Sequence, residues 1–214
     1  IKNLVENEKS PKIASLLGKF ILETGISMNP KVLRKQVLDP SLNPVVRASN
    51  LRSLLSLNDP TDDEVINQLI EDKEDVVRSV SFVGLLKREM DGALDKALLA
   101  IKEDNPMVAR AIFSVLAEKQ SEALINLWKL RELNLRNELW LDLYETLSAS
   151  SNDQAKQVAA TYAAGGIGRI HALSLHGGDP DSGELVFRNQ GACLQCHKIN
   201  GEGGLQGPEL SLVG

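Results

Sequence analysis

Apolar residues along the first three quarters of the chain fall at helical spacing, and the pattern returns every 31 residues. Phe20, Leu51, Phe82, Phe113 and Tyr144 are separated by steps of 31, and Leu54, Leu85, Leu116 and Leu147 form a second ladder at the same step. Two ladders in phase mark an internal repeat rather than a single amphipathic helix. Arg47 and Arg78 keep the interval, whereas Arg78 and Arg110 are 32 apart, so the register drifts by one residue in the third unit.

Each unit reads as two helices. In "NPVVRASNLRSLLSLND", Asn43 and Pro44 occupy the N-cap and first-turn positions, and Val45, Ala48, Leu51, Leu54 and Leu55 follow at helical spacing. A second start is predicted at Thr61, whose hydroxyl would cap the helix while Glu64 reaches back as the other half of a capping box. The pair recurs as "KEDVVRSVSFVGLLKR" with "DGALDKALLAIKED", as "NPMVARAIFSVLAEK" with "SEALINLWKL", and as "LRNELWLDLYETL" with "SNDQAKQVAATYAA". An earlier pair, "SPKIASLLGKFILETG" with "NPKVLRKQVL", completes five. Helices this short are marginal alone in water, so their apolar stripes must be buried against neighbouring units. The expected fold is therefore all-α, an α-solenoid of about five helix pairs over residues 1–165. Trp128 and Trp140 lie in apolar helical runs and read as core, and Met28, Met90 and Met107 read as packing residues.

Composition narrows the function. The 214 residues are 43% hydrophobic, enough for a sizeable core, with a net charge of -5 and a pI near 5.3. Without a run of Lys or Arg, this balance argues against nucleic acid or an anionic membrane surface as partner. No apolar stretch is long enough to span a membrane. The chain opens on Ile1 and reads as a piece of a longer protein, so its lack of an apolar leader says little about export. No nucleophile–base arrangement, phosphate loop or paired carboxylates mark a catalytic centre, so the chain is not expected to be an enzyme by itself.

The pattern changes at "AAGGIGR". Gly165 and Gly166 would end the last repeat helix, residues 166–178 read as a linker, and 179–214 read as a new unit rich in glycine. Asp179 before Pro180, or Asp181 with Glu184 three residues on, would start a short helix carrying Leu185 and Phe187 to about Arg188.

Both cysteines of the chain then occur in Cys193-Leu194-Gln195-Cys196-His197. A structural zinc site would need four ligands, and only His171 and His176 are left to supply more imidazole. A thioredoxin-like redox pair would follow a strand in a βαβ unit, and no strand alternation precedes Cys193. A disulfide across so short a loop would constrain little of the unfolded chain. The Cys-x-x-Cys-His string itself is the pattern of covalent c-type haem attachment: two thiols on one helical turn can each form a thioether with a vinyl group on one edge of the porphyrin. His197, next in sequence, is then carried beneath the ring as the axial ligand. Its other ring nitrogen needs an acceptor that fixes the orientation of the imidazole.

Two family resemblances rest on these residues. The helix starts "NPVVRA", "EDVVRS" and "NPMVARA" resemble HEAT-like repeats of short period. In such repeats the Arg pairs with an acidic residue of the adjacent unit, which implies a ladder of Arg47, Arg78 and Arg110 with Asp39, Asp72 and Asp104. "DPDSGELVFRNQGACLQCHKINGEGGLQGPEL" resembles the opening half of a class I c-type cytochrome. There Gly183 and Phe187 would share one face of the first helix and pack on the domain's last helix. Gly207, Pro208, Glu209 and Leu210 would pass over the proximal side, with the Pro208 carbonyl accepting from His197 Nδ1.

The ending is similar to haem domains at the C-terminus of large bacterial proteins that combine a sugar-dehydrogenase-like β-propeller, HEAT repeats and a cytochrome. What the resemblance implies is a haem c held by Cys193, Cys196 and His197 with Pro208 behind the ligand, one-electron transfer between donor and acceptor proteins or domains, and a periplasmic or otherwise extracytoplasmic home. Made without haem-attachment machinery, the same chain would carry Cys193 and Cys196 as free thiols or as a strained short-loop disulfide. The rival reading is a protein-interaction scaffold whose tail binds a metal or reacts as a thiol. The cytochrome pattern is incomplete: 17 residues follow His197 and none is Met, so no sixth ligand is assigned. His171, His176 and the three methionines are the remaining side chains of suitable chemistry.

Overall fold

Asparagine followed by proline starts three of the helices for one physical reason. Proline lacks the N–H that a first turn would leave unpaired, and the asparagine oxygen accepts the next free amide. Asn29 accepts from Lys31, Asn43 from Val45 and Asn105 from Met107, at 2.9–3.0 Å. The computed structural model describes residues 13, 29–176 and 180–212. Phe20 and Met28, and the expected first helix apart from Ile13, lie outside the described residues.

The chain divides into two units, Ile1–Leu173 and Ser174–Gly214. The first contains α1 (Pro30–Val37), α2 (Pro44–Ser56), α3 (Asp63–Leu69), α4 (Asp75–Lys87), α5 (Ala93–Glu103) and α6 (Pro106–Glu118). It continues with α7 (Glu122–Lys129), the single turn α8 (Arg131–Asn134), α9 (Trp140–Ala149), α10 (Asp153–Ala163) and α11 (Ile167–Leu173). The second unit holds α12 (Pro180–Leu185), a π-helical turn Val186–Gln190, a 3-10 turn Cys193–Gln195 and a hairpin of β1 (Lys198–Ile199) with β2 (Glu202–Gly203). The two-residue strands pair antiparallel, Lys198 with Gly203 and Ile199 with Glu202. The described chain is thus all-α apart from this hairpin.

In the first unit α2, α4, α6 and α9 pack one on the next, and α3, α5, α7 and α10 pack on them. The two hydrophobic ladders are what they bury. Leu51, Phe82 and Phe113 of the first ladder, and Leu54, Leu85, Leu116 and Leu147 of the second, are all buried, while Tyr144 is half-buried. Gly84 lets α4 lie close against α2: a Cβ there would stand 2.6 Å from Leu55 Cδ2. The 31-residue period also governs the backbone beyond these helices. Asn58, Glu89 and Gln120 follow α2, α4 and α6 and share a left-handed conformation, with φ of 51°, 53° and 52°. Each ends its helix as a C′ residue does, without the glycine that would relieve the steric cost.

Trp128 is buried, its ring 5.0 Å from that of Tyr162 in an edge-on contact and 5.9 Å from that of Tyr144. The Arg131 guanidinium covers the Trp128 ring at 4.3 Å. Trp140 is half-buried, and its indole N–H donates to the Leu135 carbonyl at 3.1 Å. Met90 packs against the core, and Met107 is exposed.

Two local expectations are corrected. Thr61 does not cap the second helix of its unit. Asp59 instead caps the 3-10 turn Pro60–Asp62 that leads into it, accepting the Thr61 amide at 3.0 Å and the Thr61 hydroxyl at 2.8 Å, and α3 itself starts after Asp62 without a side-chain cap. Pro60 has no N–H, so the first amide free to be capped belongs to Thr61 itself. Residues 166–178, read as a linker, carry α11, which packs on α9 and α10 and buries Leu173. The start expected at Asp179 lies outside the described residues, as do the side chains of residues 180–182.

The arginine ladder exists, displaced one unit forward. Arg47 grips both oxygens of Asp72 at 3.1 and 2.5 Å and donates Nε–H to the Val37 carbonyl at 2.9 Å. Arg78 grips both oxygens of Asp104, with Nε at 2.8 Å, and also reaches Asp75 and the Asp72 carbonyl. Arg110 pairs with Asp142 at 2.8 Å. Asp39, the expected partner of Arg47, instead accepts from the backbone and hydroxyl of Ser41. Arg47 and Arg78 reach the carboxylates that follow α3 and α5, whereas Arg110 reaches Asp142 inside α9.

Burial of the Arg47–Asp72 pair sets its weight. The Arg47 side chain is 3% exposed and that of Asp72 11%, against 44% and 27% for Arg110 and Asp142. Replacing Arg47 by Ala should therefore cost about 3 kcal/mol in urea unfolding, because a largely buried carboxylate loses its partner. Replacing Arg110 by Ala should cost less than about 1 kcal/mol; equal losses would contradict the ranking.

The carboxylates also link stability to pH. Burial pushes the Asp72 and Asp104 carboxyls up, but hydrogen bonds from Arg47 and Arg78 and from the amides of Glu74 and Asn105 outweigh it, and both ionise below the ordinary range. Their stabilisation is complete above the unfolded value of about 3.9 and is lost as pH falls through the lower folded values. The urea midpoint should fall steeply below about pH 4, and Asp72→Asn should flatten that fall.

Candidate functional site

The 3-10 turn Cys193–Gln195 follows Ala192, which is left-handed at φ 52°. The turn is held by its own backbone: the amides of Cys196 and His197 both donate to the Cys193 carbonyl, at 3.2 and 2.9 Å. Cys193 and Cys196 therefore lie on one tight turn with His197 directly behind it. Both cysteines are free, Cys193 half-buried and Cys196 exposed.

A strap of residues 207–210 crosses this turn. The Gly207 amide donates to the Cys196 carbonyl at 2.6 Å, and the Leu210 amide donates to the Lys198 carbonyl at 2.8 Å. Between these two anchors the Pro208 carbonyl comes within 3.0 Å of His197 Nδ1. A carbonyl can only accept, so Nδ1 carries the proton and Nε2 of the neutral ring keeps its lone pair. All four residues singled out in the sequence, Cys193, Cys196, His197 and Pro208, are thus brought into one site.

Glycine lets the strap come so close. A Cβ on Gly207 would stand 2.6 Å from His197 Nδ1, 2.7 Å from Cε1 and 2.9 Å from Cγ, so the bare backbone lies against the imidazole. Gly203, in the hairpin, has φ 113° and would place a Cβ 2.1 Å from the His197 carbonyl. The sequence places Gly207 in the segment over the proximal side of His197 but gives it no role of its own, and the Gly-Pro dipeptide eleven residues beyond Cys196 is the local sign of this backbone approach. Also unforeseen was Arg188, which bridges Glu184 at 2.6 Å and Glu202 at 2.7 Å and so ties the helical segment to the hairpin. Its side-chain bonds to Glu202 and then Glu184 raise the guanidinium further above its ordinary value. The Ser211 hydroxyl and amide hold the Glu209 carboxyl below the usual range, fixing the end of the strap.

The surroundings are open. No described residue of 180–212 is buried, and Leu185, Val186, Leu205 and Leu212 are exposed. Phe187 is half-buried and Gly183 exposed. His171 lies on α11 in the first unit, and His171 and His176 are both exposed. Among the described residues no three of His, Cys, Asp and Glu gather as a metal-binding group, and no helix is long and apolar enough to cross a membrane. Comparisons with family models, with curated proteins and with solved structures give no match.

The close approach of Gly207 yields a direct test. In Gly207→Ala the added methyl must displace the strap from the imidazole and break the contact between Pro208 and His197. Pro208→Ala retains the accepting carbonyl and should preserve it. The 15N shifts of the His197 ring report the outcome, with Nδ1 remaining protonated in Pro208→Ala and the two tautomers mixing in Gly207→Ala. Identical spectra for the two variants would show that the strap does not set the tautomer.

Proposed function

We propose that the chain carries a covalently attached c-type haem and works as an electron-transfer module, with its helix stack serving as a HEAT-like α-solenoid scaffold beside an oxidoreductase partner. The observation that carries this reading is the His197 ring fixed by Pro208, with two free thiols on the turn in front of it. Cys193 and Cys196 are the residues that would form the thioethers. Each S–H would add across a vinyl double bond, its proton passing to the vinyl carbon, so no oxidant would be consumed. His197 Nε2 is the nitrogen left for iron, and Pro208 holds the ring so that this lone pair keeps its direction. When bound, the group supplies a one-electron ferric/ferrous couple.

The residues around the turn fit such a group. None of the described side chains of residues 183–212 is buried, and the exposed Leu185, Val186, Leu205 and Leu212 would give apolar surface to a flat apolar ring. The unbridged thiols fit as well, since a disulfide would occupy the atoms that attachment needs. Donor and acceptor are proteins or domains of matching potential. Because attachment requires reduced thiols and dedicated machinery outside the bacterial inner membrane, the proposed location is periplasmic or otherwise extracytoplasmic.

Expression with haem-attachment machinery, followed by a reduced-minus-oxidised pyridine haemochrome spectrum of the denatured protein, tests the reading. A c-type spectrum that stays with the chain and disappears in Cys193→Ala/Cys196→Ala is the expected outcome. A folded, colourless protein under the same conditions overturns it and leaves an interaction scaffold with a thiol-bearing tail.

A further inference from the structure

A groove of about 460 Å³ runs between α2 and α4 and extends to Ala111 of α6. Its floor is apolar, made by Leu55, Val80, Val83, Gly84 and Ala111. Its charged side is cationic: among the described residues Arg52, Lys87 and Arg88 line it and no carboxylate does. In a chain of net charge -5 this is a local reversal of sign. The groove along α3 and α5 shows the contrast, since there Lys73, Arg78 and Lys96 stand among Glu71, Asp72, Glu103 and Asp104.

The three cations are not equivalent. Lys87 pairs with Glu118 at 2.8 Å, and Arg88 pairs with Asp63 at 2.7 Å. Arg52 has no ion pair or hydrogen bond to a described residue, and the protein around it pulls its guanidinium below its ordinary value by desolvation. One open positive charge therefore faces an apolar recess. The volume lies in the range of small-molecule sites. A planar guanidinium matches a carboxylate through two parallel hydrogen bonds.

We propose that this groove binds a small aliphatic monocarboxylate, its hydrocarbon body against Leu55, Val80, Val83 and Ala111 and its carboxylate on Arg52. A single negative charge suffices because Lys87 and Arg88 are already neutralised, and a longer polyanion would meet Glu118 and Asp63 at the edges. The site belongs to the helix stack and does not depend on the proposed haem.

Octanoate and octylammonium, which share a chain and differ in the sign of the head, test the proposal on the full-length chain below their micelle concentrations. Amide shifts in 15N-labelled protein near neutral pH are the readout. Octanoate should shift the amides of Leu55, Val80 and Gly84 saturably, and octylammonium should not. Arg52→Gln, an exposed position whose fold is checked by circular dichroism, should weaken octanoate at least about five-fold. Ala111→Phe, which fills the recess, should abolish the saturable shifts with the helical spectrum retained. Absence of saturable shifts with octanoate, equal response to octylammonium, or unchanged affinity in Arg52→Gln would each overturn the assignment.

Discussion

Short helices cannot be stable alone, and the first unit depends on this constraint throughout. Its helices run from one turn to 13 residues, too short to propagate far beyond their nucleation cost in water. Each must put its apolar stripe against the next unit. The step of 31 keeps those stripes in phase: Leu51 meets the same kind of neighbour as Phe82 and Phe113, and the left-handed residues Asn58, Glu89 and Gln120 return the chain in the same way each time. The arginine ladder adds direction to this packing. Hydrophobic contact would tolerate a small slide of one helix along another, whereas the two-pronged contacts of Arg47 with Asp72 and Arg78 with Asp104 do not.

The second unit obeys a different constraint. With no described side chain buried, its order comes from backbone hydrogen bonds and from close approaches that only glycine permits. The turn bearing Cys193 and Cys196 is closed by amides onto one carbonyl, and the strap at Gly207 is tied to Cys196 on one side and to Lys198 on the other. Such a unit has little apolar burial to resist opening, since hydrophobic stabilisation follows the area removed from water. A large flat apolar group bound at the turn would supply what the unit lacks, so the proposed function and the physics of the tail agree.

Two kinds of polar group in the first unit serve different ends. Arg47, buried and two-pronged on Asp72, is a structural contact whose loss exposes an unpaired carboxylate to a poor solvent. Arg52, five residues along the same helix, has no ion pair or hydrogen bond to a described residue and stands at an apolar recess. The helix thus turns one arginine inward to hold the stack and leaves another open, and burial and pairing distinguish them where residue type does not.

What the sequence by itself determined is whatever depends on neighbours along the chain. Helical periodicity, the 31-residue repeat, the Asn43 cap before Pro44 and the grouping of Cys193, Cys196 and His197 are all local, because spacing of a few residues decides which side chains share a face or a turn. The cap at Asp59 rather than Thr61 was nearly as local but turned on which amide Pro60 leaves free. Tertiary structure alone decided the rest. The partner of Arg47 lies 25 residues away, and whether it is Asp39 or Asp72 depends on the direction in which one unit stacks on another. The contact of Gly207 with the His197 ring depends on the path of a strap tied by backbone bonds that no side-chain pattern encodes. The open charge on Arg52 is visible only once Glu118 and Asp63 are seen to be engaged by Lys87 and Arg88.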